Sequence, residues 1–317
     1  MLLGIPRGYF YYNYLPFIKT LFDGTGVTVM AGMENNDDIF ARGKGMTADE
    51  ACLPVKMFAG QIDALGKECD RVMVPRIMKD MKGRWLCPEQ LGLPELCIGK
   101  EQRAKTIVTD PLFFNDFAGT RRAFWKVFKE LGVKPRFYRR NFRNAYAGAA
   151  DVASGRRNMH MEADWESTPA PPGPGEIILP GTRRVLVTGH CYNVYDRFIN
   201  GDILRMLDDR GIDALTEKDA DRVAADEIFC STPFLKKPFW EAFARIYGTA
   251  MSMSDTVDGI IYLSSFSCGV DAFVSDMLRL HLGDIPFMVL KLDEHKGNAG
   301  LETRIEAFVD MLERRGH

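Results

Sequence analysis

The sequence predicts an α/β protein built from two Rossmann-like, doubly wound domains with parallel sheets and a cleft between them. Two observations predict this class. Short apolar segments alternate with longer segments of helical spacing over short connections, which is typical of a parallel sheet covered by helices. The alternation also stops at a Pro- and Gly-rich stretch near the middle of the 317 residues and then restarts.

The first half alternates strands and helices from its first residues. One helix, predicted at residues 53–65, carries Phe58, Ile62 and Leu65 on one side, at the spacing of a helix that packs against a sheet. In this half we expect strands at residues 2–5, 27–30 and 71–75 and helices at residues 11–22, 53–65 and 121–131.

A linker-like segment separates the two halves. Five prolines and three glycines fall in the fourteen residues 168–181, a composition that resists both helix and sheet. We predict an N-terminal α/β domain over residues 1–170, a linker over residues 171–181 and a C-terminal α/β domain over residues 182–317. In the C-terminal domain we expect strands at residues 184–188, 213–215, 259–264 and 286–292 and helices at residues 196–209, 240–252, 269–280 and 301–314.

The composition is that of a soluble globular protein, with 46% apolar and 26% charged residues. The net charge of −2 gives no electrostatic reason to expect binding to nucleic acid or to an anionic membrane surface. Pro6 and Arg7 interrupt the N-terminal apolar stretch, and no uncharged apolar run approaches the length that spans a bilayer. We therefore expect a cytoplasmic protein whose cysteines are free or metal-bound rather than paired in disulfides.

Three of the seven cysteines, Cys52, Cys87 and Cys268, lie in turn-like contexts beside Pro or Gly. Their wide spacing excludes a zinc ribbon or a ferredoxin motif, since both need short C-x-x-C spacings. Three such thiolates could still meet in an α/β fold and form a metal site with one open coordination position. Cys52 and Cys268 precede predicted helices, whose N-termini stabilise a thiolate. Cys87 has no predicted helix after it, so only the turn at Pro88 supports it.

The other four cysteines lie in contexts that predict different roles. Cys69, Cys97 and Cys230 lie at a helix end or in ordinary apolar contexts and are interpreted as structural. Cys191 is intermediate, because it lies beside His190 in the predicted loop after the first strand of the C-terminal domain.

Two further segments carry polar groups of interest. Asp293, Glu294 and His295 follow the last predicted strand, but adjacent loop residues diverge, so a solvated loop or hydrogen bonds at a domain interface are favoured over a metal site. The basic and aromatic residues 134–143 suit a phosphate group or RNA, although a solvated face or a partner-docking patch is favoured. Neither a P-loop nor a G-x-G-x-x-G motif after a strand is present, so ATP or NAD binding by the usual devices is a poor fit.

Several motifs together resemble a known family. They are Gly4-Ile5-Pro6-Arg7, the run from Asp49 to Lys56 around Cys52, Val74-Pro75-Arg76, Cys87-Pro88, the run from Tyr262 to Gly269 around Cys268, and the runs from Leu292 to His295 and from Gly300 to Arg304. In these motifs the chain resembles the acyl-CoA dehydratase activase-related proteins, relatives of the 2-hydroxyacyl-CoA dehydratase subunits and of the double-cubane cluster proteins. The resemblance runs from the first strand to the last helix and is weakest over residues 100–170.

The resemblance implies an iron–sulfur cluster, either 4Fe–4S or a double cubane, held between two Rossmann-like domains. Mapped onto this chain, it assigns Cys52, Cys87 and Cys268 as ligands and leaves the catalytic residues unassigned. Cys191 stands where relatives often carry Pro and is a further candidate ligand, which would close the open position and turn a catalyst into an electron carrier. The candidates for contacts around the cluster or with the substrate are Arg7, Arg76, His190, Asn193, Asp293, Glu294 and His295.

The resemblance also implies partners, and it leaves three functions open. The partners are an ATP-dependent activator protein that carries its own cluster, and either a second dehydratase-like subunit or a second copy of the chain. The first function is a cluster-dependent dehydratase or reductase component that acts on an acyl-CoA or another small substrate in anaerobic metabolism. The second is a non-catalytic accessory or electron-carrier protein that keeps the same cleft. The third is a soluble enzyme with inert thiols.

Overall fold

The structure is a computed structural model that describes residues 1–155, 182–294 and 298–315. The predicted linker at residues 171–181 and the candidate residue His295 lie outside the described residues. The strands are β1 (Leu2–Ile5), β2 (Thr28–Ala31), β3 (Arg71–Val74), β4 (Ile77–Lys79), β5 (Thr106–Val108), β6 (Leu112–Phe113), β7 (Arg184–Gly189), β8 (Asp213–Leu215), β9 (Gly259–Ser265) and β10 (Phe287–Leu292). The helices are α1 (Tyr9–Phe22), α2 (Asp37–Lys44), α3 (Leu53–Glu68), α4 (Pro88–Leu91), α5 (Leu93–Cys97), α6 (Phe117–Glu130), α7 (Pro135–Ala153), α8 (Cys191–Val194), α9 (Arg197–Asn200), α10 (Ile203–Asp208), α11 (Arg222–Ser231), α12 (Glu241–Met253), α13 (Gly269–His281) and α14 (Asn298–Arg315). None of these described helices is both long and apolar enough to cross a membrane.

The described residues form two compact units. The first comprises residues 1–155 and Phe239–Glu241, and the second comprises residues 182–238, 242–294 and 298–315. The segment Phe239–Glu241 belongs to the first unit because its backbone pairs with Trp85: Trp85 N donates to Phe239 O (3.0 Å), and Glu241 N donates to Trp85 O (2.8 Å). The domain limits predicted from the sequence stay a prediction, since the linker is not among the described residues.

The first unit contains a four-stranded parallel sheet in the order β2-β1-β3-β5 and a smaller parallel pair, β4-β6. Leu3 and Ile5 of β1 and the three apolar residues of β3 are buried, and α3 carries Ile62 and Leu65 in the buried part of its surface. Helices α1, α6 and α7 pack through aromatic rings, as in the stacked pair Phe22 and Phe128, whose centroids are 4.9 Å apart. The core of this unit therefore rests on an apolar sheet and an aromatic helix layer.

The second unit contains a four-stranded parallel sheet in the order β10-β9-β7-β8. All seven residues of β9 are buried, as expected for a central strand that helices cover on both faces. Parallel strands joined through helices in both units confirm the predicted α/β class with two parallel sheets. The predicted cleft stays a prediction.

The prediction of one helix over residues 196–209 is wrong. The chain forms α9 and α10 instead, because Gly201 and Asp202 both adopt left-handed backbone conformations, with φ of 65° and 63°. The Asp196 carboxylate caps α9 by accepting from Phe198 N and Ile199 N, both at 3.1 Å. A left-handed pair of residues cannot continue a right-handed helix, so the break lies at that pair.

Candidate metal centre

The strand order of the second sheet creates a switch point at its centre. From β7 the chain continues to β8 on one side, whereas β9 and β10 lie on the other side. β7 and β9 are parallel neighbours, with Gly189 paired to Leu263, so the residues that follow these two strands meet at the same edge of the sheet. In open α/β sheets, ligands bind at such a switch point, outside the carboxyl ends of the strands.

Three side chains with metal-binding atoms converge at this edge. His190 follows β7, while Cys268 and Asp271 lie at the start of α13. A ring nitrogen, the Sγ atom and a carboxylate oxygen from these residues all lie within 4.8 Å of one another. His190 and Asp271 are buried, whereas Cys268 is partly exposed. The second unit thus presents one nitrogen, one sulfur and one oxygen donor at its switch point.

Asp271 is held in place through both of its carboxylate oxygens. Tyr262 Oη donates to Oδ1 (2.6 Å), and Ser265 N donates to Oδ2 (2.8 Å). Asp271 N donates to Cys268 Sγ at 3.4 Å, which makes Cys268 the N-cap of α13. Cys268 and Asp271 have the spacing of a capping box, but the carboxylate accepts from Ser265 N, while Cys268 N donates to Ser265 O (3.1 Å). These bonds hold the thiol and the carboxylate at the start of α13.

His190 lies between the negative groups of this cluster. Its ring stacks on Tyr192, with centroids 4.9 Å apart, and its Nε2 is 3.2 Å from Asp271 Oδ1. Burial by itself lowers the pKa of His190, but Asp271 and Cys268 more than offset this and raise the pKa to about 10. Even so, Nε2 makes no hydrogen bond of normal geometry with any described residue.

Two more of the predicted candidates, Asn193 and Cys191, lie next to His190. Asn193 Nδ2 donates to Leu263 O (3.3 Å), and its Oδ1 accepts from Ser265 Oγ (3.0 Å), which ties α8 to the end of β9. The prediction that Cys191 lies in a loop is wrong, because the chain turns into α8 directly after His190 and buries Cys191 as the first helical residue. The role of Cys191 as a ligand stays a prediction.

The first sheet has an equivalent switch point between β1 and β3, and the two predicted arginines follow these strands. Arg7 Nε donates to Gly32 O (2.9 Å), and its guanidinium lies 5.1 Å from the ring centroid of Tyr11. The Arg76 guanidinium forms a two-pronged ion pair with Glu95. Both arginines therefore lie at the edge of the first sheet where ligands are expected, each held by a neighbour.

Cys52 and Cys87 also belong to the first unit, and each directly precedes a helix. Cys52 precedes α3, as predicted, and its buried Sγ donates to Glu89 Oε2 at 2.7 Å. The expectation that no helix follows Cys87 is wrong, because Pro88 starts the four-residue helix α4. Since Glu89 lies two residues after Cys87, its contact with Cys52 brings the two cysteine segments together.

The predicted ligands are divided between the units. Cys52 and Cys87 lie in the first, and Cys268 lies in the second. Among the residues that the structure describes, His190, Cys268 and Asp271 are the only group of three or more His, Cys, Asp or Glu side chains with metal-binding spacing. Asp293 and Glu294 follow β10 and are not part of that group. The assignment of three cysteines to one cluster stays a prediction.

Cys69 and Cys97 fit the structural role that their sequence contexts predict. Burial raises the pKa of Cys97 to about 12, and it also raises the pKa of Cys69. Cys69 Sγ contacts Met30 Sδ at 3.7 Å. Thiols with raised pKa values are poor nucleophiles and poor metal ligands at neutral pH. Cys230, near the end of α11, is exposed.

Sequence reasoning missed Asp271 and Glu89. Asp271 lies three residues after Cys268, and this capping-box spacing could have revealed it. Glu89 carries no comparable signal, because its contact with Cys52 joins positions 37 residues apart in the chain. Local spacing predicts contacts within one turn, but not contacts between distant segments.

Residues 3–219 match the family model of the CoA enzyme activase uncharacterised domain (DUF2229), about two thirds of the 317 residues. The chain belongs to this CoA enzyme activase family. The match confirms the predicted relation to activase-related proteins, whereas the relation to dehydratase subunits and double-cubane proteins stays a prediction. No curated protein matches the chain.

The match to the CoA enzyme activase domain covers only part of the candidate metal centre. The matched range includes Cys52, Cys87 and His190, whereas Cys268 and Asp271 lie beyond it. The family domain therefore supplies the side of the centre that follows β7, and the connection from β9 to α13 supplies the other side.

Proposed function

We propose that this member of the CoA enzyme activase family binds an iron–sulfur cluster through Cys52, Cys87 and Cys268, and that it takes part in the low-potential electron transfer that activates an acyl-CoA dehydratase. Family membership supports the role in activation. Thiolates are the preferred protein ligands of such clusters. The observation that carries the proposal is that each of the three cysteines directly precedes a helix, with Cys52 in contact with the segment that follows Cys87.

The surroundings of Cys52 fit a thiol that must lose its proton to bind iron. Cysteine binds metals as the thiolate. Glu89 Oε2, 2.7 Å from Cys52 Sγ, is placed to accept that proton. The positive end of the sixteen-residue helix α3 favours the negative charge that remains on sulfur. This part of the site therefore has the chemistry that ligation requires.

The surroundings of Cys268 fit a ligand whose electron density is tuned by hydrogen bonds. Asp271 N donates to Cys268 Sγ, and the ring of His190 adjoins the same sulfur. Donors to a ligating sulfur raise the reduction potential of a cluster and fix the orientation of the thiolate. A bound cluster would supply one-electron transfer at low potential.

The proposal includes partners and a substrate class. We propose an ATP-dependent activator protein with its own cluster as the electron donor, and a dehydratase as the protein that is activated. A second dehydratase-like subunit or a second copy of this chain is proposed to complete the assembly, with an acyl-CoA as the substrate class. The proposed contacts around the cluster or the substrate come from Arg7, Arg76, His190, Asn193, Asp293, Glu294 and His295.

Anaerobic reconstitution with iron and sulfide tests cluster binding. We expect about four irons per chain, equal sulfide, and an electron paramagnetic resonance signal after reduction. Cys52→Ser, Cys87→Ser and Cys268→Ser should each lose most of the iron. Cys230→Ser, which changes an exposed thiol in α11, is the matched control and should keep it. Wild-type protein that stays colourless and free of iron would contradict the proposal.

Addition of an activator, ATP and an acyl-CoA tests the function of the cluster. Reduction of the cluster followed by activation of a separate dehydratase supports the proposed role, whereas dehydration by this chain alone supports a dehydratase-type function. Reduction of the cluster without activation of a dehydratase and without dehydration by this chain would refute the role in activation. In the same assay, loss of iron from Cys191→Ser would make Cys191 a fourth ligand.

A further inference from the structure

We propose that His190, Cys268 and Asp271 bind a single divalent cation, Zn²⁺ or Fe²⁺, at the switch point of the second sheet. The three side chains come from two different connections, the one after β7 and the one between β9 and α13. They converge because β7 and β9 are adjacent and parallel. This site uses neither Cys52 nor Cys87, so it does not depend on the proposed cluster.

The buried imidazole nitrogen of His190 points to a missing ligand. His190 is only 3% exposed, and its Nε2 makes no hydrogen bond of normal geometry with any described residue, although it lies 3.2 Å from Asp271 Oδ1. The Asp271 carboxylate thus pairs with this ring by charge but without hydrogen-bond geometry, and a cation between the two side chains would coordinate both groups.

The donor set selects the class of cation. One imidazole, one thiolate and one carboxylate are a mixed set of nitrogen, sulfur and oxygen that suits Zn²⁺ and Fe²⁺. Ca²⁺ and Mg²⁺ prefer oxygen ligands alone. Three protein ligands leave at least one coordination position for water or a substrate atom, as in catalytic rather than structural zinc sites. The partial exposure of Cys268 leaves that position a route from solvent.

The groups around the three side chains match those that orient metal ligands. Both oxygens of Asp271 accept hydrogen bonds, from Tyr262 Oη and Ser265 N, and the ring of His190 is held by stacking on Tyr192. Ligating carboxylates and imidazoles usually have such outer partners, which fix their direction. Metal ligation uses the deprotonated sulfur and ring nitrogen, so binding of the cation would release protons to solvent.

The proposed cation and the proposed cluster both use Cys268 as a ligand. The two metals therefore cannot be bound at the same time. A test must therefore exclude the cluster without touching the cation site. The double variant Cys52→Ser/Cys87→Ser does this, because both substitutions lie in the first unit. We use this double variant as the parent and Co²⁺ as the probe, since its absorbance reports thiolate ligation and coordination geometry.

Anaerobic titration of the parent with Co²⁺ should show one equivalent bound, a thiolate-to-cobalt charge-transfer band, and displacement by Zn²⁺. Cys268→Ser in the parent should remove the charge-transfer band. His190→Ala and Asp271→Asn should weaken binding by at least about a hundredfold, because loss of a ligand exceeds the 10–100-fold effect of losing an outer partner. If Asp271→Asn reduces folding, as judged by circular dichroism, His190→Gln supplies the same test.

The matched controls lie in the same unit. His281→Ala removes another histidine, at the end of α13, whose ring contacts Tyr247, and Cys230→Ser removes an exposed thiol of α11. Both should keep cobalt affinity within about twofold of the parent. No saturable cobalt signal, or equal affinity after His190→Ala, would overturn the cation site and leave a buried ion pair. Wild-type reconstitution reports the cluster separately, so either proposal can fail while the other stands.

Discussion

The buried carboxylate of Asp80 stabilises the turn that precedes Cys87. Its Oδ1 accepts from both Lys82 N (2.9 Å) and Arg84 N (2.7 Å), which closes the turn between β4 and the segment that leads to Cys87. Burial raises the pKa of Asp80, and the nearby carboxylate of Glu241 adds to the effect, giving a pKa of about 6. The ionised carboxylate of Asp80 therefore lowers the stability of the folded state at neutral pH.

The raised pKa predicts the effect of Asp80→Asn. Because the folded pKa lies above the unfolded value of 3.8, the folded state binds the proton more tightly, and stability falls as pH rises from 3.8 to about 6. The substituted asparagine keeps the Oδ1 acceptor without the charge. We expect a gain of about 1–3 kcal/mol in unfolding free energy at pH 7.5 and almost none at pH 3.5, measured by urea denaturation.

Asp63 provides a control of opposite sign. Burial acts to raise its pKa, but hydrogen bonds from Lys67, Arg42 and Gln102 outweigh burial and lower the pKa to about 2. Its contribution to stability is present above pH 3.8 and is lost as pH falls through 2. Asp63→Asn should therefore lower stability at pH 7.5. A gain for both variants would mean that general charge reduction, rather than the burial of Asp80, explains the result.

At the scale of residues, the sequence predicted helix starts better than it predicted partners. Cys52 and Cys268 stand directly before helices, as their Pro and Gly contexts indicated. The sequence did not indicate that His190 faces Asp271, because that contact depends on two strands being adjacent. Local context fixes the conformation of a residue, whereas its partner depends on strand order.

Helix α3 is positioned by a close crossing with α2. A Cβ atom on Gly60 would lie 1.9 Å from Ile39 O, and a Cβ atom on Gly43 would lie 1.7 Å from Lys56 O, so the two backbones touch where only glycine fits. Lys56 lies in the first turn of α3, four residues after Cys52, and its Nζ donates to Asp49 O (2.7 Å). The crossing therefore sets the position of a predicted cluster ligand.

This crossing predicts opposite effects for two glycines of the same helix. Gly60→Ala should destabilise the protein by at least about 2 kcal/mol, because backbone atoms cannot give way as a flexible side chain does. Gly66→Ala is the matched control, since nothing lies within 4 Å of a Cβ atom there, and it should stabilise by about 0.5–1 kcal/mol. Thermal midpoints measure both, and equal midpoints for the two variants would refute the close crossing.

At the scale of elements, apolar patterns predicted most of the long helices but not α7, which is rich in arginine. α7 buries Tyr138, Phe142 and Ala145 at helical spacing, but four arginines between residues 136 and 143 made the segment resemble a binding stretch rather than an amphipathic helix. Helix α9 ends where Asp202 adopts a positive φ, a conformation that the sequence pattern did not indicate. An amphipathic helix is difficult to recognise in a sequence when its apolar stripe is narrow and its exposed face carries many charges.

At the scale of the whole molecule, the two units repeat one topology. In each sheet the first strand of the unit has its sequential neighbour on one side and the later strands on the other, as in β2-β1-β3-β5 and β10-β9-β7-β8. Each unit therefore has a switch point, with arginines at the first and the His190, Cys268 and Asp271 group at the second. Alternating apolar segments predicted both sheets, but strand order had to come from the structure.

Hydrogen exchange separates the two proposed metal states across the molecule. A bound ligand slows the local opening of every element that holds it. A cluster held by Cys52, Cys87 and Cys268 should slow amide exchange in the first turns of both α3 and α13, whereas a single cation should slow it only around α13 and the end of β7. Cys268→Ser should abolish both patterns, and α11 should not change in either state. Protection of one unit alone in cluster-loaded wild-type protein would contradict a ligand set drawn from both units.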